Sequence, residues 1–279
     1  MDATIQQQYR DFRENGFVVV ENALNETELT QSRSAFQTAQ TATEPAWREM
    51  VRSGVFKGGY GNGPSAHSME NPYHYDTVIL DIADNPRITP LLREVIGPGL
   101  QVTELFAHCH HAGTPSHTGW HRDWPPYRHP KYVLKAKVFY FLDDITEDMG
   151  CFSVVPGTHK QDDAPSRSEY VGDTLEDRPG MIKITGAAGS CVIWDVTIWH
   201  SATANTSTHD RRMLLYGYHP YFVKNWESTT PPEVVVNWAN TPERRELMGI
   251  HAVQGRASWD RHDVPYLPVH EEIARTKKF

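Results

Sequence analysis

Cysteine is scarce in this chain of 279 residues: there are three, Cys109, Cys151 and Cys191. An odd, widely spaced set with no Cys-x-x-Cys pair argues against a disulfide framework and against a cysteine-built zinc knuckle. It leaves small reduced core residues, as expected in a cytoplasm-like compartment. Long apolar runs are also missing, and no stretch approaches the roughly 18 residues of a membrane span. The polar opening MDATIQQQYRDFRENG lacks the apolar core of a signal peptide, and the closing ARTKKF is not the peroxisomal tripeptide. Positive charge is not in excess: 27 Lys and Arg stand against 35 Asp and Glu, a net charge of −8, with no basic run. Nucleic acid and anionic membranes are therefore disfavoured as partners. The chain shows no internal repeat and no low-complexity segment. These absences describe a cytoplasmic protein, monomer or homodimer, whose partner is a small molecule.

What is present divides by texture. Ile5, Tyr9 and Phe12 share one helical face, and Gly16 stops that helix. FVVVENAL (17–24) reads as a short buried strand and turn. Asn25 with Glu28 forms a capping pair that opens a second helix, ETELTQSRSAFQTAQ (26–40). Residues 51–75 are rich in Gly, Asn, Pro and Ser and read as one long loop. DNPRITPLLREVIG (84–97) reads as a third helix. Strand-like segments follow: GLQVTELFAHCH, KYVLKAKVFYFLDD, CFSVVP, MIKITGAAGSCVIWD and RRMLLYGYHPYFV. No long helical pattern separates them, so a parallel α/β sheet is disfavoured and a β-sandwich or jelly roll with helices outside is expected. The polar stretch 161–180 is expected to form a flap. Beyond residue 225 the texture is mixed, with Trp226, Trp238 and Trp259 as packing anchors.

The chemistry is carried by two segments. GWHRDWPPYRHP (119–130) places His121 and Asp123 two apart, so on an extended segment both side chains fall on one side. A lone His-x-Asp is weak, because most such pairs are surface loop residues. VIWDVTIWHSATANTSTHDRRMLLYGYHP (192–220) adds His200 at the end of an apolar segment and Arg211 eleven positions later. Two imidazoles and one carboxylate on one face of a metal are the facial triad of non-haem iron(II) oxygenases, with three positions left open. A 2-oxo acid and dioxygen fill those positions, and arginine's planar fork suits the distal carboxylate of the 2-oxo acid. Arg212 competes with Arg211: strand periodicity does not separate them, and the spacing from His200 favours Arg211.

These segments resemble the phytanoyl-CoA dioxygenase family of iron(II)/2-oxoglutarate oxygenases, in order, from about residue 8 to 222. YRDFRENGFVVVENALNETEL resembles the family's opening, WHRD its WHQD, FYFLDDITEDMGCFSVVPGTHK its strand, turn and PGSHK, and HSATANTSTHDRR its second-histidine segment. The resemblance implies a mostly β fold with flanking helices and a double-stranded β-helix (jelly roll, cupin-like) core. It also implies Fe(II), 2-oxoglutarate and O2 as cofactors, with succinate and CO2 released. His121, Asp123 and His200 would be the metal ligands, and Arg211 would hold the cosubstrate's C5 carboxylate. One domain over 1–279 is expected: N-terminal helices to about 97, core to about 223, extension to 279. The family's Gly-Ser after the second histidine is Ser201-Ala202 here, so Thr203 or Ser201 is expected to supply the missing hydroxyl. His108, on the strand before the triad motif, and Phe139 and Tyr140, on the strand that lines the pocket in relatives, are candidate cosubstrate contacts. Each also has an ordinary packing role open to it.

Trp124, Tyr127 and Arg128 directly follow a ligand and are expected to rim the substrate pocket. Arg122 stands where the family often has Gln. Trp226 and His219 are candidates for the same rim. His110, His111 and His117 read as polar strand and loop residues, and Lys57 as exposed. Asp123 favours oxygenation over halogenation, because relatives that halogenate carry a small residue there. The expected reaction is hydroxylation of a small metabolite or natural-product intermediate; desaturation, epoxidation and ring formation stay open. Two rival classes also stay open: a cupin-like metalloenzyme that uses no 2-oxoglutarate, and a non-catalytic binding protein on the same fold.

Overall fold

The structure is a computed structural model that describes residues 2–56, 63–97, 99–116, 118–125, 127–129, 131–162, 178–223 and 231–250. Helix α1 (Ala3–Asn15) ends where expected, with Gly16 at φ 86° and its N–H donating to the Phe12 carbonyl. That left-handed cap is a geometry only glycine adopts freely. Strand β1 (Phe17–Val20) follows. Helix α2 (Glu26–Ser53) opens on a full capping box between Asn25 and Glu28. It runs well past the expected residue 40 and contains Pro45. Its far end is tied down: the Trp47 indole donates to the Gly63 and Ala66 carbonyls at 3.2 and 3.1 Å.

The expected loop 51–75 is corrected. Its first residues finish α2, and Ala66–Glu70 form strand β2. AHSME has no β-branched residue, so its strand character comes from antiparallel pairing with β3 (Leu100–His110), from Ala66 opposite His110 to Glu70 opposite Phe106. The expected helix 84–97 is present as the shorter α4 (Thr89–Ile96), and a further short helix that the sequence reading did not assign, α3 (Val78–Ala83), precedes it. The remaining strands are β4 (Ala136–Phe141), β5 (Phe152–Val155), β6 (Ile182–Lys183), β7 (Cys191–Asp195), β8 (Trp199–Ala202) and β9 (Arg211–Pro220). Short helices α5 (Glu233–Trp238) and α6 (Pro242–Leu247) close the described part. Trp238 packs against the helix-covered core; Trp226, Trp259 and most of 161–180 lie outside the described residues.

A six-stranded antiparallel sheet, in the order β1-β7-β4-β9-β3-β2, faces a three-stranded sheet, β6-β5-β8. The fold is the expected jelly roll. Alternation along β4 shows how the faces divide. Ala136, Val138 and Tyr140 join a core shared with Phe12 and Phe36 of the helices. Phe139 and Phe141 turn the other way, to a second core with Phe152 and Val154 of the small sheet and Trp194 of β7. The site opens between the sheets, on that second face.

Candidate metal centre

The backbone brings the two motifs together. His121 and His200 exchange both N–H···O bonds at 3.0 Å, and the Asp123 N–H reaches the Val196 carbonyl at 2.9 Å. The His-x-Asp segment thus meets the start of β8 through a single antiparallel bridge and the turn before β8 through Asp123. All three side chains converge: His121 Nε2 lies 3.6 Å from Asp123 Oδ1, His200 Nε2 lies 3.5 Å from Asp123 Oδ2, and the rings are 4.2 Å apart. One donor atom from each lies within 4.8 Å of the others. Each histidine donates from Nδ1 to a carbonyl two residues back, His121 to Gly119 at 2.7 Å and His200 to Ile198 at 3.0 Å. Those bonds fix the tautomer and leave both Nε2 lone pairs facing the site, the usual arrangement of metal-ligating imidazoles. The donor set fits a hard-to-borderline dication.

Lys137 is the residue the sequence reading missed. Its Nζ sits 3.0 Å from Asp123 Oδ2 and 3.0 Å from Glu104 Oε2, and Glu104 also binds Lys135. Both lysines are buried. The signal was present as two lysines inside an otherwise apolar strand, KAKVFYF; Lys137 shares parity with Phe139 and so faces the cavity. Burial would raise the Asp123 carboxyl, but the Lys137 ammonium and the two histidines outweigh it and hold it well below the carboxylate range. Burial likewise opposes protonation of His121, yet the Asp123 bond and charge hold it above its ordinary value. Burial and the neighbouring His121 hold His200 below its own.

The triad opens on a cavity of about 140 Å³, walled among others by Phe106, His108, Phe139, Phe152, Trp194 and Leu215. Arg211 closes one side of it and is 2% exposed. Its Nη1 donates to the Gly150 carbonyl, while its Nε has no partner among the described residues. No carboxylate among those residues pairs with it, and burial pushes its pKa down to about 10. A buried cation of this kind fits an incoming carboxylate. Burial first, then Arg211, keep His108 well below its ordinary pKa, as a neutral ring. Arg212, the competing arginine, is not in the cavity wall and pairs with Asp143 at 2.5 Å.

The other candidates divide. Trp124 lines the mouth of the cavity, and the exposed Tyr127 meets its ring edge-to-face at 6.0 Å. Tyr140 does not line the cavity: being one residue from Phe139, it faces the helix-covered core against Tyr216. Thr203 is also corrected, since it lies past the end of β8 and outside the cavity wall, whereas Ser201 is in that wall with its hydroxyl donating to the Thr118 carbonyl. Arg122 reaches away, to the carbonyls of Thr158 and Gln161 at 3.0 and 2.8 Å. Arg128 pairs with Asp162 at the surface. His219 is buried, and its ring meets the Pro220 carbonyl rather than a pocket rim. Lys57, His117 and Trp226 lie outside the described residues.

The family model for phytanoyl-CoA dioxygenase (PhyH) matches residues 12–213. The chain belongs to the phytanoyl-CoA dioxygenase family. It is an iron(II)- and 2-oxoglutarate-dependent dioxygenase, and its cofactors are iron(II), 2-oxoglutarate and O2. A probable alpha-ketoglutarate-dependent hypophosphite dioxygenase of Stutzerimonas stutzeri is 28% identical over 54% of this chain and 56% of its own. L-Proline trans-4-hydroxylase of Streptomyces griseoviridis is 26% identical over 56% and 69%. In fold, the chain is similar to HygX of Streptomyces hygroscopicus, solved with nickel and 2-oxoglutarate bound. The TM-score is 0.63 at 18% identity, over 80% of this chain and 89% of that one. For a phytanoyl-CoA dioxygenase relative, the departures at Arg122 and at Ser201-Ala202 fall where the structure turns the first away from the cavity and ties up the hydroxyl of the second. No helix among the described residues is long and apolar enough to cross a membrane.

Proposed function

We propose that this dioxygenase hydroxylates an unactivated C–H bond of a small metabolite or natural-product intermediate, with His121, Asp123 and His200 holding iron(II) and Arg211 holding the far carboxylate of 2-oxoglutarate. The observation that carries the assignment is Arg211, a buried guanidinium with no acidic partner among the described residues, in the wall of the same cavity as the triad. When bound, iron and 2-oxoglutarate together supply dioxygen activation, with 2-oxoglutarate converted to succinate and CO2.

The chain's residues do the positioning. Lys137 donates to Asp123 Oδ2 and keeps that carboxylate ionised and oriented. The Gly119 and Ile198 carbonyls hold the imidazoles. Phe106, Phe139, Phe152, Trp194 and Leu215 make an apolar surround that excludes water from the reacting centre. Trp124 at the mouth supports a substrate with a ring or apolar body. L-Proline trans-4-hydroxylase, as a relative, supports a substrate of small-metabolite size. A CoA thioester would want a basic groove, and this acidic chain has no Lys/Arg cluster in its sequence. Three buried free thiols support a reducing, cytoplasm-like compartment. The core shared by the N-terminal helices and the large sheet supports reading the chain as one domain.

The test is anaerobic. Iron(II) and 2-oxoglutarate added together are expected to give a visible absorption band that neither gives alone, and Arg211→Ala is expected to weaken it. Succinate release then screens candidate substrates. Iron binding without a 2-oxoglutarate-dependent band removes Arg211 from its role.

A further inference from the structure

A second set of metal-ligating side chains lies on the other face of the same two strands. β3 and β9 pair with His110 opposite Arg211 and Cys109 opposite Arg212. Alternation sends His108 and Arg211 to the cavity, and Cys109 to the helix-covered core. There Cys109 Sγ lies 3.7 Å from His111 Nδ1 and 3.5 Å from Asp210 Oδ2, and His111 Nδ1 lies 3.2 Å from Asp210 Oδ2.

That triangle has the dimensions of a metal site. Zinc bonds of about 2.3 Å to sulfur and about 2.0–2.1 Å to nitrogen and oxygen, at the tetrahedral angle, put sulfur roughly 3.6 Å from N or O and N roughly 3.3 Å from O. All three observed edges agree within about 0.2 Å. The carboxylate is oriented from outside: Asp210 Oδ1 accepts the Ala112 N–H at 2.8 Å. The Trp47 ring packs against His111 with centroids 4.8 Å apart, and His111 Nε2 has no hydrogen-bond partner among the described residues. Arg212, the adjacent cation, is neutralised by Asp143. The Asp210 side chain is 42% exposed, which gives an entry path and a fourth position for water. One thiolate and one carboxylate balance a dication.

We propose that Cys109, His111 and Asp210 bind a thiophilic divalent cation of the zinc type, at a site separate from the triad. Binding replaces the Sγ–H···Oδ2 and Nδ1–H···Oδ2 hydrogen bonds. The thiol proton leaves to solvent and the imidazole proton passes through solvent from Nδ1 to Nε2; the thiolate, the freed Nδ1 and the carboxylate then each donate a lone pair, and no electron is transferred. The cation ties the end of β3 to the residue before Arg211, and so braces the wall of the cosubstrate pocket from behind.

Cobalt(II) is the probe, added to the metal-free full-length chain under anaerobic, reducing conditions. Thiolate-to-cobalt charge transfer absorbs in the near ultraviolet, and the triad contains no sulfur. The band is expected in the wild type and in His200→Ala, and is expected to vanish in Cys109→Ser. Bound cobalt is expected to fall from about two per chain to about one in either variant. Because Cys109 is a core residue, Asp210→Asn on the exposed side gives a second reading, with cobalt affinity at this site expected to fall about tenfold or more. Absence of the band from the folded wild type, its persistence in Cys109→Ser, or a folded Asp210→Asn that binds as tightly as wild type overturns the site.

Discussion

Two buried cations flank the metal centre, and they contribute to stability with opposite sign. Lys137 is met by two carboxylates, Asp123 and Glu104. Among the described residues, the Arg211 guanidinium donates only to the Gly150 carbonyl. Removing one partner of a buried, hydrogen-bonded charge set leaves the others unpaired, which costs about 3–5 kcal/mol. Lys137→Met is therefore expected to destabilise the ligand-free protein by about that much in urea unfolding. Arg211→Met removes a desolvated charge with no counter-charge beside it, so the ligand-free protein is expected to unfold at higher urea than wild type. The gain comes with a functional loss. A charge-assisted hydrogen bond contributes about 1.5–3 kcal/mol, so Arg211→Met is expected to weaken 2-oxoglutarate binding by roughly 10- to 100-fold in calorimetry, with iron(II) affinity little changed. Arg211→Lys is expected to recover only part, since an ammonium lacks the planar fork. If Arg211→Met unfolds earlier than wild type and binds 2-oxoglutarate normally, the guanidinium is a structural residue and its assignment falls.

At the scale of elements, what was legible depended on whether the signal was local. The capping box of Asn25 and Glu28 is a local signal, and both of its bonds form, at 2.8 and 2.9 Å. Asn25→Ala is expected to cost about 1 kcal/mol of stability, read as a lower urea midpoint at unchanged slope. Since α2 contributes no side chain to the metal centre, succinate formation should not change; a variant with wild-type stability would mean that tertiary packing alone sets the helix start. Gly16 is a second local signal. A Cβ there would come within 2.4 Å of His159 Nδ1 at a φ already of 86°, so Gly16→Ala is expected to cost more than the cap does. Strand β2 shows the opposite case. Nothing in AHSME favours a strand, and its state is set by an edge of β3 that arrives thirty residues later. Phe139 and Tyr140 were indistinguishable as neighbours in a strand until the sheet's covering was known. The helix layer on one face and the small sheet on the other then assigned one to the cavity and the other to the core.

For the whole molecule, the site is a property of closure. Its walls come from Ser68 in β2 through Leu215 in β9, and from both sheets. His121 and Asp123 were legible because their spacing is short, and His200 and Arg211 because one short connection carries the chain from β8 in the small sheet to β9 in the large one. Glu104 and Lys137 were not, because a single acid or base in a strand reads as a solvent-facing residue until the partner strand is placed. Ligands that bind between two sheets must stabilise the folded state as a whole, by linkage. At a free concentration about 100 times its dissociation constant, a ligand contributes about 2.7 kcal/mol, which for a chain of this size is a rise of roughly 5–10 °C in melting temperature. At fixed, saturating manganese(II) as a redox-silent stand-in for iron(II), added 2-oxoglutarate is expected to give that increment in a thermal scan. Without a metal the increment should be much smaller, because only the carboxylate at Arg211 is then engaged. Holding the metal constant removes any contribution from the cluster at Cys109. Arg211→Met is expected to lose the 2-oxoglutarate increment and keep the manganese one. An equal 2-oxoglutarate increment in wild type and Arg211→Met would place the cosubstrate elsewhere in the molecule. An increment independent of metal would separate 2-oxoglutarate from the triad.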